Sequence, residues 1–293
     1  MTAPASVARG GASRFGAIGR LPLSFILPVA FLAVLVFAAV FAGTIAPYDP
    51  LAQNPPIRLQ PPSAAHIMGT DEFGRDIYSR VIYGARTSIV VGVAAVFFSS
   101  IIGSAIGLLA GYVGGARDET AMRLMDVVIA FPAMVLAIAL IAAAGAGLQN
   151  VIVVIAIVQL PVFARLARSS VLAEASQDYV TAARVLGVRP VGIVVRHLLP
   201  NSIAPSVTMV GLLLADAILI ESALSFLGLG VLPPTPTWGN ILSSGREYIL
   251  IGGWWFTVFP GFAIFLTVLS INLLADFSRD RLDPTHRTAT QLG

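Results

Sequence analysis

The sequence contains no cysteine, which excludes a disulfide framework, a thiol nucleophile and a thiolate metal site. It contains no lysine either, because all 18 basic residues are arginine. A Walker A loop needs a lysine that contacts the nucleotide phosphates, so another subunit must bind any ATP that this protein uses. Charged residues are also scarce: they make up 11% of the chain, against about a quarter in a typical soluble domain.

Hydrophobic residues, by contrast, make up 57% of the chain, which indicates an integral membrane protein without a large soluble domain. The formal charge of +3 is too small and too scattered to indicate nucleic-acid binding. The histidines, His66, His197 and His286, are too far apart for a metal-site spacing. We therefore expect no metal or other cofactor in this chain.

Six apolar runs are long enough to cross a bilayer, which takes about 20 residues each. We interpret the first as a retained helix, since its apolar core is longer than the roughly 7–15 residues of a signal peptide. The predicted fold class is thus an all-α polytopic membrane protein. The six runs are residues 23–46, 88–112, 127–146, 151–172, 203–224 and 254–275.

The arginines predict the orientation of these spans. With both termini in the cytoplasm, 13 arginines lie in cytoplasmic segments and five in outer segments, which agrees with the positive-inside rule. Residues 1–22 then form a flexible cytoplasmic leader and residues 285–293 a cytoplasmic tail. The Pro-rich loop 47–86 lies outside, where Asp71 is a candidate cap of a short helix. A charged run such as the one around Asp71 is usually a solvated face.

A polar interruption at residues 178–200 predicts a helical hairpin. Residues 172–186 read as an amphipathic helix, Gly187 stands where a C-terminal glycine cap is expected, and Pro190 suits the first turn of a second helix. Pro200 is predicted to end that second helix. With the orientation above, this hairpin is exposed to the cytoplasm and is a candidate docking element. Taken on the residues alone, an ordinary connector explains it equally well.

The hairpin resembles the EAA loop of ABC importer permeases, although Thr181 replaces the glutamate that names the motif. Further motifs are similar to the DppC/OppC-type permeases of peptide importers, and the likeness covers about residues 23–284. The hairpin positions that match, and that the resemblance implies in coupling to an ATPase, are Asp178, Tyr179, Ala182, Ala183, Gly187, Ile193, Leu199 and Pro200. The other matching motifs are Gly69-Thr-Asp71, Gly74-Arg-Asp76, Ser79-Arg80, Tyr83-Gly-Ala-Arg86, the run from Glu221 to Gly230, Trp238-Gly239, Asn272-Leu-Leu-Ala-Asp276 and Leu282-Asp-Pro284.

The resemblance implies a type I ABC importer permease fold and a non-catalytic transport subunit in a bacterial inner membrane. Its expected partners are a homologous second permease, two ABC ATPase subunits that bind ATP and Mg²⁺, an external substrate-binding protein and membrane lipids. It divides the chain into an N-terminal region at residues 23–86 and a permease core at residues 87–284, with the coupling loop at residues 172–200. Enlarging Ala182 or Ala183 is expected to crowd the docking face.

Two carboxylates fall in or near the fifth span, where a charge is costly unless it faces a protein interior or water. Asp216 and Glu221 are therefore candidates for lining the translocation path; the alternative is a carboxylate paired to a neighbouring helix or capping the outer end. Pro234 and Trp238, in the next outer loop, are candidates for facing the binding protein.

Other functions stay open at this point. An importer of nickel, glutathione or glycosides shares the same motifs. An ion-coupled secondary transporter could use Asp216 as its cation site, but no second half of the chain repeats the first, as it often does in such proteins. A membrane enzyme would need a nucleophile–base or metal constellation, which the sequence does not contain.

Overall fold

The computed structural model describes residues 23–282, and the predicted leader and tail lie outside them. The described part is almost entirely helical. Short 3-10 helices at Pro55–Ile57 and Arg246–Ile251 and a π-helical turn at Val194–Leu198 supplement the α-helices. In chain order these are α1 Leu23–Val40, α2 Ala42–Ile45, α3 Ile77–Val113, α4 Gly115–Ile129, α5 Ala133–Ala144, α6 Leu148–Ala175, α7 Asp178–Val185, α8 Pro190–Ile193, α9 Leu199–Phe226, α10 Trp238–Gly245 and α11 Trp255–Leu282.

Five of these helices, α1, α3, α6, α9 and α11, are each long and apolar enough to cross a membrane, and they correspond to five of the six predicted spans. The third predicted span, residues 127–146, is wrong as a single straight helix. The chain bends by 92° between α4 and α5. The break falls at Phe131-Pro132, where the proline disfavours a helical conformation for the residue before it. Counting this bent pair as one span gives six.

The longest helix, α3, packs against α6 through a stripe of glycines. A Cβ on Gly107 would lie 2.0 Å from the carbonyl oxygen of Ala164, and a Cβ on Gly103 would lie 2.6 Å from that of Leu160. The two backbones therefore touch, as small residues permit in membrane helices. The glycines serve packing within the bundle.

The helices enclose two hydrophobic cores. One lies among α3, α5, α6 and α9, and its fully buried members include Ile155, Phe163 and Leu224. The other joins α1, α3, α9, α10 and α11 around Trp238 and Phe256. Because α9 contributes to both cores, a displacement of α9 affects most of the bundle.

Residues 46–76, which we call the cap, fold over the start of α3. Asp71 Oδ1 accepts hydrogen bonds from the backbone N–H groups of Phe73 and Arg75 at 2.8 and 2.9 Å. Its Oδ2 pairs with Arg75 Nε at 2.5 Å and lies 3.5 Å from Arg80 Nε. Asp71 thus closes a turn, and the prediction that it caps a helix is wrong. The charged run does not form a solvated face here, because these three side chains are buried.

The residue that caps the N-terminus of α3 is Asp76. Its Oδ2 accepts from the backbone N–H and the hydroxyl of Ser79, at 2.8 and 2.7 Å, at the start of α3. Its other oxygen, Oδ1, lies 2.9 Å from His66 Nδ1. Trp255, the first residue of α11, donates from Nε1 to the carbonyl oxygen of Thr70 at 3.2 Å. The cap therefore ties the starts of α3 and α11 together.

Candidate coupling hairpin and membrane-embedded carboxylates

At the opposite end of α3 from the cap lies the predicted hairpin, which the structure forms from α7, α8 and the π-helical turn, residues 178–198. The prediction of one helix over residues 172–186 is wrong: α6 ends at Ala175, and α7 begins after a two-residue break. The turn after α7 is as expected. The Gly187 N–H donates to the Arg184 carbonyl at 3.0 Å and the Val188 N–H to the Ala183 carbonyl at 3.1 Å, which is the Schellman pattern.

Gly187 has a φ of +77°, so it occupies the left-handed region that glycine adopts without a Cβ clash. Pro190 stands in the first turn of α8, where its missing N–H costs nothing. The sequence prediction for both residues is confirmed. The sign of φ at Gly187 sets the direction in which α8 leaves the turn.

Pro200 does not end the second helix, contrary to the prediction. Instead α8 runs through the π-helical turn Val194–Leu198 into α9, with Pro200 in the first turn of α9. A proline ring crowds the carbonyl four residues earlier, and the wider π turn just before it makes room. The hairpin is thus the beginning of a continuous helical rod that reaches Phe226, about 55 Å long at 1.5 Å per residue.

The hairpin has its own small core, in which α7 and α8 pack on the ends of α3 and α6. Its buried members include Val180, Ala183, Ile193 and Leu198, with Leu108 from α3. The expectation that enlarging Ala183 crowds a docking face is therefore wrong, because that side chain points into the core. Ala182, Asp178 and Tyr179 are exposed, as are Leu199 and Pro200.

The end of the hairpin presents an apolar surface. Val185 and Leu186, on one side of the turn, are 83% and 81% exposed, and Val191, on the other side, is 73% exposed. We call these three residues the apolar tip. The sequence analysis missed them, although apolar residues flanking a turn glycine are a signal that could have identified them. Contiguous exposed apolar residues beside polar ones mark a contact surface for a protein or a membrane.

Two ion pairs, also missed by the sequence analysis, hold α4 against α6 near the hairpin. Arg168 meets Asp118 with two hydrogen bonds of 2.6 Å, and Arg165 meets Asp126 at 2.6 Å. Bidentate pairing of an arginine fixes orientation as well as distance. The amphipathic helix α4 is therefore attached to the helix that leads into the hairpin.

The structure separates the two carboxylates of α9. Glu221 is fully buried, and its Oε1 accepts from the Ser225 hydroxyl at 2.8 Å. The Ser225 hydroxyl in turn accepts from the Val231 N–H at 3.3 Å. Glu221 thus anchors the segment that follows α9 and does not reach the surface of the chain in this conformation. Its predicted place on the path stays a prediction that the burial disfavours.

Asp216 has the opposite environment. Its side chain is exposed, and it lies in the middle of the 22-residue span Pro205–Phe226. A carboxylate facing lipid at the centre of a span costs about 3 kcal/mol on insertion scales. Its hydrogen-bond contact within residues 23–282 is with Gln159 Nε2, at 3.5 Å.

The outer-loop candidates also differ from each other. Trp238 is fully buried and donates from Nε1 to the Val81 carbonyl at 3.0 Å, so its side chain is not on the surface as expected. Its neighbour Thr237 is the N-cap of α10 and forms a capping box with Asn240. Pro234 is exposed and stays a candidate contact for a binding protein. In the described part of the chain, no group of three or more His, Cys, Asp or Glu residues could hold a metal ion.

Comparisons with solved structures show the fold. Two structures of the MetNI methionine ABC transporter in inward-facing conformations align with TM-scores of 0.55 and 0.57, at 21% and 20% identity. The alignments cover 69% and 71% of this chain, and 94% and 98% of the chains they match. The bundle described above is therefore the type I ABC importer permease fold.

Comparisons with curated proteins reveal much higher identity. The chain is 46% identical over 255 residues to a di/tripeptide transport system permease protein, DppC, of Pseudomonas aeruginosa, covering 85% of this chain and 84% of the relative. It is 46% identical over 231 residues to a dipeptide transport system permease protein DppC of Alkalihalophilus pseudofirmus, covering 79% of this chain and 76% of the relative. A glutathione transport system permease protein, GsiD, of Pectobacterium atrosepticum is 44% identical over 223 residues, covering 76% and 74%.

A family model described as the binding-protein-dependent transport system inner membrane component matches residues 103–288. The matched region contains the C-terminal part of α3, the α4–α5 bend, the hairpin, α9 and α11. It therefore includes both the coupling candidates and the carboxylates of α9. With its family match, its relatives and its several apolar helices, this multi-pass membrane protein belongs to the binding-protein-dependent transport system inner membrane component family, the transport permeases.

Proposed function

We propose that this chain is the transmembrane permease subunit of an ATP-driven ABC importer for di- or oligopeptides. It forms half of the translocation path with a homologous second permease. Two cytoplasmic ABC ATPase subunits bind ATP and Mg²⁺ and catalyse hydrolysis, and an external binding protein delivers the substrate. The chain itself makes and breaks no bond. The names of the relatives at 46% identity support the peptide substrate.

The observation that carries this proposal is the apolar tip on a rigidly built hairpin. Val185 and Leu186 are more than four-fifths exposed, while the Schellman turn and the buried side chains below them fix the shape of the hairpin. An apolar knob on a fixed support fits a groove on a soluble partner, and it is docked there when the importer assembles. The residues proposed for ATPase coupling are Asp178, Tyr179, Ala182 and Gly187 with this tip, and Ala183 and Ile193 support them from within.

The connection of the hairpin to α9 provides the mechanical route. Since α8, the π turn and α9 form one rod, a tilt imposed by closing ATPases moves α9 along its whole length. Because α9 belongs to both hydrophobic cores, this motion biases the bundle between inward-open and outward-open arrangements. The arginine distribution supports the orientation that this requires, with both termini and the hairpin in the cytoplasm of a bacterial inner membrane.

A second substrate has a specific observation in its favour. The glutathione permease relative is 44% identical, close to the value for the dipeptide permeases, and glutathione is itself a tripeptide. None of the relatives reported above is named for nickel or glycoside transport. A substrate panel on the assembled importer should therefore include dipeptides, tripeptides and glutathione.

The test is reconstitution of the importer with Leu186→Asp. We expect a charge at the apolar tip to prevent recovery of the ATPase subunits in a pull-down through this chain and to abolish peptide uptake in proteoliposomes. The matched control is Leu51→Asp, the same change at an exposed leucine of the cap, which should leave ATPase recovery unchanged. Full recovery of the ATPases with Leu186→Asp would remove the coupling assignment, and absence of peptide uptake by the wild-type complex would remove the substrate assignment.

A further inference from the structure

Asp216 is a carboxylate that is both exposed and central to an uninterrupted apolar span. Its neighbours in the chain, Ala215, Ala217 and Ile218, are at most 2% exposed, so α9 buries its other faces and turns Asp216 outward. The span extends about 15 Å from Asp216 in each direction, farther than a short aspartate side chain can reach toward the membrane surface. The face that carries Asp216 must therefore meet water or protein when the importer is assembled.

Gln159 of α6 fixes the surroundings of this carboxylate. Its Nε2 donates to the Leu213 carbonyl of α9 at 2.8 Å and lies 3.5 Å from Asp216 Oδ2. Its Oε1 is buried and has no hydrogen-bond partner among the described residues. The amide orientation follows from the bond to Leu213, since the reverse orientation would set two acceptors against each other. With this one long contact, the Asp216 carboxylate retains most of its acceptor capacity.

The exposed carboxylate defines the chemistry of a ligand. An ionised carboxylate only accepts hydrogen bonds, and one negative charge in an apolar span favours a cation that donates several of them. A primary ammonium has three such donors. Peptides carry this group at their amino end.

We propose that Asp216, beside Gln159, is a site on the translocation path that binds the primary ammonium group of the substrate. This inference rests on the proposed function, because it takes the substrate to be a peptide with a free amino end. Asp216 lies at the middle of α9, so a movement of the helical rod that begins in the hairpin also moves the site. Tilting of α9 thereby moves the bound ammonium from one side of the membrane toward the other.

The absence of cysteine in this chain allows a test by charge. Asp216→Cys is introduced, cysteines of the partner subunits are replaced, and the complete importer with its binding protein is reconstituted in proteoliposomes. The substrate is radiolabelled dialanine, whose one ammonium is its amino end. We expect uptake to fall at least about tenfold, the loss expected for one charged hydrogen bond. ATP hydrolysis stimulated by the loaded binding protein should persist, because the hairpin is untouched.

Two thiol reagents of similar size and opposite charge then distinguish binding from packing. Sulfonatoethyl methanethiosulfonate, which restores a negative charge, should recover uptake, whereas the trimethylammonium reagent should not. Leu219→Cys, at a residue that is 45% exposed one turn along α9, is the control and should show no dependence on the sign of the reagent. Asp216→Asn preserves the shape of the side chain and removes its charge. It should lose as much uptake as Asp216→Cys does before the reagents are added.

Several results would overturn the proposal. Uptake by Asp216→Asn close to the wild-type rate would show that the charge is not needed. An unreactive thiol in the Asp216→Cys variant, or equal effects of the two reagents, would mean that the position does not face a path for cations. Parallel loss of assembly and ATP hydrolysis would identify Asp216 as a partner of a basic residue in the second permease. If the wild-type importer takes up no peptide, the proposed function fails instead, and the thiol reactivity still reports whether water reaches this position.

Discussion

The turn at Gly187 gives the sharpest prediction about the hairpin. A Cβ placed on this glycine would meet nothing within 4 Å, although its φ is +77°. The cost of a substitution is therefore the left-handed backbone alone, which is about 1–2 kcal/mol for a residue with a Cβ. Asparagine tolerates this region best, and a β-branched residue tolerates it least. Destabilisation should increase in the order Gly187→Asn, Gly187→Ala, Gly187→Val.

The assay is hydrogen–deuterium exchange of the α7 amides in the assembled importer, together with ATPase pull-down and peptide uptake. A cost of about 1–2 kcal/mol raises the open population of the hairpin by a factor of about 5–30. Gly187→Val should in addition weaken ATPase attachment and abolish uptake, while the membrane spans stay inserted. Gly192→Ala is the matched control, because Gly192 has no positive φ and its new Cβ would lie 3.2 Å from a movable Val188 methyl group. If Gly187→Ala and Gly192→Ala exchange equally fast, the backbone reasoning is refuted.

Three further predictions concern packing, charge and orientation. Gly107→Ala should destabilise the purified subunit by about 1–3 kcal/mol, since the new Cβ would lie 2.0 Å from the Ala164 carbonyl oxygen. The control Gly261→Ala, whose Cβ would lie 3.5 Å from a Leu242 methyl group, should be neutral in thermal unfolding. Equal effects of the two substitutions would contradict backbone contact between α3 and α6. Burial, and then the Asp71 carboxylate, raise the pKa of Glu72 above its ordinary value of 4.5, so its protonated form favours the folded cap. The stability of the cap should fall as the pH rises through this raised pKa. Glu72→Gln should remove the pH dependence in pH-resolved proteolysis. A Glu72→Gln variant with the same pH profile as the wild type would contradict this prediction. Single cysteines at Ser63 and Ser176 test the orientation, because an impermeant thiol reagent on intact cells should label position 63 and spare position 176; labelling of 176 alone would reverse the assignment.

Features that depend on neighbouring residues in the chain were predictable from the sequence. Five spans follow from apolar runs, because partition into the bilayer depends on the hydrophobicity of the segment itself. Gly187 and Pro190 were also predictable, since a positive φ and a missing N–H are properties of single residues. The bend at Phe131-Pro132 was readable by the same logic, but the apolar run through it hid the signal.

What the sequence by itself determined is therefore the class of the molecule: a multi-pass permease with a hairpin between its spans. The tertiary structure decided which side chain has which environment. Ala182 and Ala183 are adjacent, yet only Ala183 is buried, because α3 and α6 cover one side of α7. Asp216 and Glu221 lie on one helix, yet one is exposed at the centre of a span and the other is enclosed by serines. Burial and hydrogen bonding depend on atoms that distant segments bring to the same place, and the sequence of one helix does not contain that information.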